Sequence, residues 1–207
     1  MTTVLLIAAT SYLLGSIPFG YILVRIFRGE DVRRSGSGNI GATNVARKSP
    51  ALGVLTLLLD ALKGSAAVFL AANLSRQHAN YTNLYSMISL AALCAIAGHL
   101  FPIWLKFRGG KGVATGLGSF IMIAPKAVLI SVVIFVVLVL LFRYISLGSI
   151  IAVAAFPVFL RVLHQYGDSW LAVLFTALSS LLIIGKHHQN IRRLLAGTEN
   201  CLGAKRV

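Results

Sequence analysis

The sequence predicts an all-α integral membrane protein of about seven transmembrane helices, N-terminus outside and C-terminus cytoplasmic, forming one polytopic domain over residues 1–207. Three observations carry this. Hydrophobic residues make up 57% of the chain and charged residues only 12%, which is too apolar for a water-soluble domain. Several uncharged runs are long enough to cross a hydrocarbon core of about 30 Å. Nineteen Lys and Arg stand against five acids, net charge +14, and they gather between those runs, as in cytoplasmic loops beside anionic lipid. A nucleic-acid partner is excluded: the cations sit in membrane-flanking loops with few aromatics among them. Cys94 lies in an apolar run and Cys201 in the basic tail, so both read as free thiols.

The first span is Val4 to Val24. No basic segment precedes it and no small-residue cleavage site follows, so it is read as retained, with Gly15, Pro18 and Gly20 predicting a kink. Arg25 to Lys48 carries six Arg or Lys residues, which places it in the cytoplasm and the N-terminus outside. Within it, Ser35 to Arg47 reads Ser-Gly-Ser-Gly-Asn-Ile-Gly-Ala-Thr-Asn-Val-Ala-Arg. Glycines expose backbone donors, Ser37, Thr43 and Asn44 add side-chain donors, and Arg47 offers a guanidinium fork, so the run can wrap a phosphate. Clusters of this composition are also ordinary loop punctuation.

The second span, Leu52 to Ala72, holds Asp60 and Lys63 on one helix face. Charges in a membrane are costly, so the pair should face inward, either locking helices or meeting a substrate. Arg76 to Asn83 reads as a short outer loop, and Leu84 to Leu105 returns the chain to the cytoplasmic side.

The apolar run then breaks into Phe107-Arg108-Gly109-Gly110-Lys111-Gly112-Val113-Ala114-Thr115. Gly109, Gly110 and Gly112 can turn N–H groups toward an anion, Lys111 supplies charge, and a helix starting at Val113 adds the positive end of its dipole. The competing reading is a turn with snorkelling cations at a membrane border. It is not a nucleotide-binding Walker loop, since Leu105 stands where that loop needs Gly and Gly112 follows the lysine.

Val113 to Pro125 is short for a span, about 20 Å as a helix. Ala127 to Phe142, Tyr144 to Leu160 and Ser169 to Gly185 are longer apolar runs. The tail contains Lys186, Arg192, Arg193, Lys205 and Arg206, so the positive-inside rule favours counting Val113–Pro125 as a crossing, hence seven. The same parity puts the Arg143–Ser149 turn on the inner face and brings Ser146 and Ser149 near the polar loops. A hydroxyl there can instead bond its own helix.

On a helix continuing from the last span, His187, Asn190 and Ile191 share a face. His187 could act as base, hydrogen-bond donor or phosphate counter-ion, whereas the adjacent His187 and His188 point apart and make a poor metal pair. A basic amphipathic tail on the lipid surface is the alternative. Glu199 is a candidate partner for one of the many cations.

Taken together, Gly36–Arg47, Gly98–Thr115 (Gly-His-x-Phe-Pro, then Phe-x-Gly-Gly-Lys-Gly-Val-Ala-Thr) and His187–Glu199 (His-x-x-Asn-Ile-x-Arg-Leu-x-x-Gly-x-Glu) resemble the bacterial acyl-phosphate:glycerol-3-phosphate acyltransferase (PlsY) family over essentially the whole chain. Cys201 stands where that family often has Lys. The resemblance implies a multi-pass enzyme of the bacterial plasma (inner) membrane with its active site facing the cytoplasm. It would transfer a fatty acyl group from acyl phosphate to the 1-hydroxyl of glycerol 3-phosphate, giving 1-acyl-glycerol 3-phosphate early in phospholipid synthesis. Implied partners are both substrates, the lipid bilayer and the enzyme that supplies acyl phosphate, with no cofactor and no metal.

On this reading His187, Lys111 and Ser37 are the candidate catalytic residues. Gly109, Gly110 and Gly112 would hold the acyl phosphate with Lys111; Thr43, Asn44 and Arg47 would position glycerol 3-phosphate with Ser37, and His187 and Asn190 would complete its pocket; Asn39, Thr115, Ser149 and Glu199 complete the candidate substrate-binding set. Either His187 takes the hydroxyl proton or the acyl phosphate's own oxygen does. No His-x-x-x-x-Asp dyad of the thioester-dependent acyltransferases occurs. The alternative is a membrane transporter for a phosphorylated metabolite, which the intramembrane Asp60–Lys63 pair and the short Val113–Pro125 segment would fit. Against it, the polar groups lie at one face and no inverted repeat is visible.

Overall fold

The computed structural model describes residues 2–75 and 81–203. Most of the expected Arg76–Asn83 loop, and Lys205 and Arg206 of the tail, fall outside them. The described residues are helical without strands: α1 Thr2–Ser16, α2 Phe19–Arg28, α3 Ala42–Ala46, α4 Pro50–Ser75, α5 Tyr81–Leu100, α6 Val113–Ile121, α7 Pro125–Phe142, α8 Ile145–Val162, α9 Trp170–Lys186 and α10 His188–Leu195. Among them five segments are long and apolar enough to cross a bilayer, α1 with α2, α4, α5, α7 and α8. A sixth is added if α9 and α10, bent by 57°, form one span.

The expected kink is a full break at Ile17–Pro18, between α1 and α2. Proline lacks the N–H that would continue the ladder. The Ile17 carbonyl accepts from Phe19 N–H at 3.2 Å and from Lys63 Nζ at 2.7 Å. Lys63 also pairs with Asp60 at 2.8 Å, both side chains buried, as a charge pair inside a membrane must be.

The short fourth segment differs from expectation. α6 has nine residues, about 13 Å. Pro125 does not end it but opens α7, because Ala124 is non-helical (φ −141°, ψ 66°) and a proline at the first helical position is already set for the helix. α6 compensates for its length by close packing on α4: a Cβ at Gly64 would strike the Thr115 carbonyl and one at Gly118 the Ala61 carbonyl.

The elements arrange two faces. At one, the α2–α4 loop, the α5–α6 loop, the α7–α8 turn and the tail come together; there Leu202 N–H donates to the Arg143 carbonyl at 2.7 Å. Toward the other, about 27 Å away along α7, Gln165 accepts from Ala127 N–H at 2.9 Å and Ser86 meets Ser169 at 2.7 Å. The main core is the α5 face Ile88–Leu100 with Phe120, Ala124, Phe156 and Ile183 packed on it. A smaller core of Val24, Val32, Ile40, Val45 and Leu105 ties the two glycine-rich loops to each other. α7 buries only Ala127, Val128 and Ser131, leaving the rest to lipid or a groove. Cys94 and Cys201 are both free.

Candidate active site

The first loop is built around Asn44. Its amide nitrogen donates to the carbonyls of Val32 (3.2 Å), Ser35 (3.1 Å) and Asn39 (2.8 Å), and its Oδ1 accepts from Ser37 N–H (2.9 Å). Asn39 Oδ1 caps a turn by accepting from Gly41 N–H at 2.8 Å. These two residues therefore hold the loop's shape. Asp31 anchors the loop's start, paired with Arg33 at 2.7 Å; that hydrogen bond holds its carboxyl down to about 2. Ser37, Thr43 and Arg47 are left exposed on the outside of the frame.

The second loop revises the expected anion donors. Gly109 N–H donates to the Leu100 carbonyl (3.2 Å) and Gly110 N–H to the His99 carbonyl (3.0 Å), so both amides close the end of α5 and neither is free. Gly112, at φ +84°, turns the chain into α6, whose first bond runs from Gly116 N–H to the Gly112 carbonyl at 2.7 Å. Among the described residues the N–H groups from Lys111 to Thr115 have no acceptor. The donors left to meet an anion are thus those from Lys111 into the first turn of α6, with its dipole, and not the glycine pair before them. The Thr115 side chain is fully buried and does not line the cavity described below; its carbonyl packs at Gly64.

In the third segment the helix does not continue straight. The Ile183 carbonyl accepts from His187 Nδ1 at 2.8 Å, while the His187 amide shifts to the Ile184 carbonyl at 2.9 Å. A side chain inserted in the i→i−4 ladder is a recognised cause of a bend, here between α9 and α10. Inside the bend, Glu199 Oε1 accepts from Asn190 Nδ2 (2.8 Å) and Ser146 Oγ (3.1 Å), and Oε2 from Arg193 Nε (2.7 Å). Glu199 is the cation partner expected of it and the knot joining tail, α10 and α8. Of the two serines considered on α8, Ser146 reaches the knot, whereas Ser149 Oγ bonds the Ile145 carbonyl of its own helix at 2.9 Å.

Parts of these segments line a cavity of about 1190 Å³, while Ser37, Lys111, His187 and Asn190 stand outside its lining. Thr43, Arg47, Ala114, Ser149 and Glu199 line its polar end; Val54, Leu57, Leu117 and Val132 line an apolar cleft between α4 with α6 and α7 with α8, closed by Phe120 and Phe156. Those two rings stand 4.7 Å apart. Electrostatics joins the three segments at the mouth. Burial pulls Lys111 down to about 8, Glu199 pulls it back up, and Arg193 and Arg47 lower it further. Burial likewise takes His187 down to about 4; its bond to Ile183 and the Glu199 charge oppose this, and the Lys111 charge adds to it. Burial raises Glu199, but its bonds from Arg193 and Asn190 outweigh that and hold the carboxyl below its ordinary value.

Sequence reasoning did not single out the Phe120–Phe156 pair or the grip of Arg143 on the tail, whose Nε donates to the Leu202 carbonyl at 3.0 Å. No local pattern marks either, because each depends on helices meeting across the fold.

A sequence model of the glycerol-3-phosphate acyltransferase family matches residues 5–197. The chain is 47% identical over 202 residues to the glycerol-3-phosphate acyltransferase of Syntrophotalea carbinolica, covering 97% of this chain and 98% of that one. It is 49% identical over 195 residues to that of Mesorhizobium japonicum, covering 94% and 93%. Its fold is similar to a crystal structure of PlsY (YgiH), an integral membrane glycerol 3-phosphate acyltransferase, in the glycerol 3-phosphate form: TM-score 0.86, 35% identity, 97% and 96% of the chains covered. The lysophosphatidic acid form of that protein matches with TM-score 0.84 and 34% identity, covering 97% of this chain and 95% of that one.

Proposed function

The chain belongs to the glycerol-3-phosphate acyltransferase family, and from that premise we propose that it transfers a fatty acyl group from an acyl phosphate to the 1-hydroxyl of glycerol 3-phosphate. The observation that carries this reading is one continuous cavity, apolar at its floor, with Thr43, Arg47 and Glu199 at its mouth and the Lys111 and Arg193 charges coupled to that end. An amphiphile with a phosphate head and a long tail matches both ends at once, and a carboxylate-poor mouth suits two phosphates. A transporter would need its site near the midplane; the cationic groups lie together at one face.

The glycerol hydroxyl oxygen attacks the acyl carbonyl carbon, the bond from that carbon to the phosphate oxygen breaks, and inorganic phosphate leaves. Lys111 and the free amides of the first α6 turn stabilise charge on the carbonyl and phosphate oxygens. Ser37, Thr43 and Arg47 hold glycerol 3-phosphate, on a loop that Asn44 and Asn39 keep in shape; Asn190 and Glu199 set the wall beside it. The proton passes to the departing phosphate. His187 supports this assignment by being a poor base: with Nδ1–H committed to Ile183 and a pKa near 4, its Nε2 is an acceptor that orients the hydroxyl.

We place the enzyme in the bacterial plasma membrane with the N-terminus outside and the site in the cytoplasm, which gives seven passes when α9 with α10 and the short α6, seated on α4, are each counted as one. The gathering of Arg33, Arg47, Lys111, Arg143 and Arg193 at the site face supports that orientation. The supplier of acyl phosphate is then a cytoplasmic or membrane-surface enzyme.

The test is purified protein in lipid with palmitoyl phosphate and glycerol 3-phosphate, following phosphate and acyl-glycerol phosphate, with palmitoyl-coenzyme A in parallel. Product from the acyl phosphate alone is expected. Product from the thioester alone would overturn the donor assignment, and none from either, in folded protein, the enzyme reading.

A further inference from the structure

Three ionisable groups lie outside the mechanism, inside the membrane part of the fold. Asp60, Lys63 and His99 are 2%, 4% and 4% exposed and none lines the cavity. Lys63 Nζ is 2.8 Å from Asp60 Oδ1, which is 3.5 Å from His99 Nδ1. Lys63 also donates to the Ile17 carbonyl at 2.7 Å and sits 5.7 Å over the Phe19 ring. Ile17 is where the first span breaks to become α2 and then the first substrate loop. On the other side, the His99 ring presses on Gly110: a Cβ there would strike Nε2, and the His99 carbonyl takes the Gly110 N–H. Gly110 is the residue before Lys111. One cluster therefore touches the base of α2, the helix that carries the first loop, and the root of the second loop.

Burying ions is a poor way to gain stability, since apolar residues of similar volume do as well or better. A lysine does what no apolar residue can: it adds a charged donor to a helix-break carbonyl whose other donor is Phe19 N–H at 3.2 Å, with Asp60 balancing the charge and standing 3.5 Å from His99.

We propose that Asp60, Lys63 and His99 form a positioning network that fixes the acceptor loop and the Lys111 loop relative to each other, through Ile17 on one side and Gly110 on the other. The inference rests on the acyltransferase reading. Wild-type turnover of palmitoyl phosphate with glycerol 3-phosphate tests that reading first, and the network is then read only as change relative to wild type.

Lys63→Met, Lys63→Arg, His99→Gln, His99→Ala, Gly110→Ala and the pair His99→Ala/Gly110→Ala are compared at equal folded protein, judged by monodispersity and thermal midpoint. Lys63→Met is expected to raise KM for both substrates tenfold or more, with Lys63→Arg recovering most of it. Gly110→Ala is expected to lose a hundredfold in kcat/KM, and removing the ring in the double variant to regain at least tenfold over Gly110→Ala alone. Unchanged KM values in Lys63→Met, or losses that simply multiply in the double variant, would overturn the proposal. If Lys63→Met or His99→Ala does not fold, Lys63→Arg and the coupling of His99→Gln with Gly110→Ala decide in the same way.

Discussion

The Ile183 carbonyl takes the Nδ1–H of His187 at 2.8 Å, which fixes the imidazole tautomer and leaves Nε2 as the acceptor. With the pKa at about 4, the ring is neutral through the physiological range. Replacing His187 by Ala should therefore raise KM for glycerol 3-phosphate about tenfold or more and lower kcat less. Steady-state kinetics check this; a large kcat loss at unchanged KM would restore the ring as general base. The sign for stability follows from the same depression below 6.5. His187 should cost the protein stability as pH falls from 6.5 toward 4, and thermal midpoints of wild type and His187→Gln should diverge across that window.

In the proposed mechanism Lys111 works as an ammonium, and burial lowers its pKa to about 8. Activity as kcat/KM should fall as pH rises through about 8, because the free enzyme loses the cation. Bound phosphate favours the charged form, so the limb in kcat should lie higher. Lys111→Arg should remove the limb below pH 9, and Lys111→Ala should cost on the order of 10²–10³ in rate. A pH profile flat from 7 to 9.5 in the wild type would exclude this role.

Asn44 holds three carbonyls and one amide. Asn44→Ala should loosen the loop by about 2–3 kcal/mol. It should weaken glycerol 3-phosphate while leaving the acyl donor's KM near wild type. Asn44→Asp should be worse, because a carboxylate would face the Val32, Ser35 and Asn39 oxygens. Equal behaviour of the two variants would mean that the side chain serves only to fill space.

From Ser146, at the mouth, to Phe156, at the floor, α8 rises about 15 Å. At about 1.2 Å per bond of extended chain, that is roughly a dozen methylenes. Phe120→Ala and Phe156→Ala should move donor preference toward longer acyl phosphates, read as product ratios in mixed-donor competition. An unchanged ratio would show that the chain leaves the cleft before reaching the rings.

The acceptor frame illustrates how far a sequence can be read. Glycines, amides and cations at Ser35–Arg47 and Phe107–Thr115 offered anion binding as a reading beside loop punctuation and snorkelling, because those residue types together supply donors and charge. Which group of each set does the binding was not legible. Asn44 and Gly110 look like ligand donors in one dimension, yet their hydrogen bonds close onto neighbouring carbonyls, and the free donors begin at Lys111.

By itself the sequence determined the helical, membrane-spanning class, since hydropathy over twenty residues is a local property that lipid enforces. It also determined the inward Asp60–Lys63 pair and the three polar segments. Only the tertiary structure decided that α6 stops at Ile121, that α9 bends at His187, that Ser146 rather than Ser149 meets Glu199, and that Phe120 and Phe156 close the cleft. Each of these depends on what a distant helix presents within a few ångströms, and no local periodicity encodes that contact.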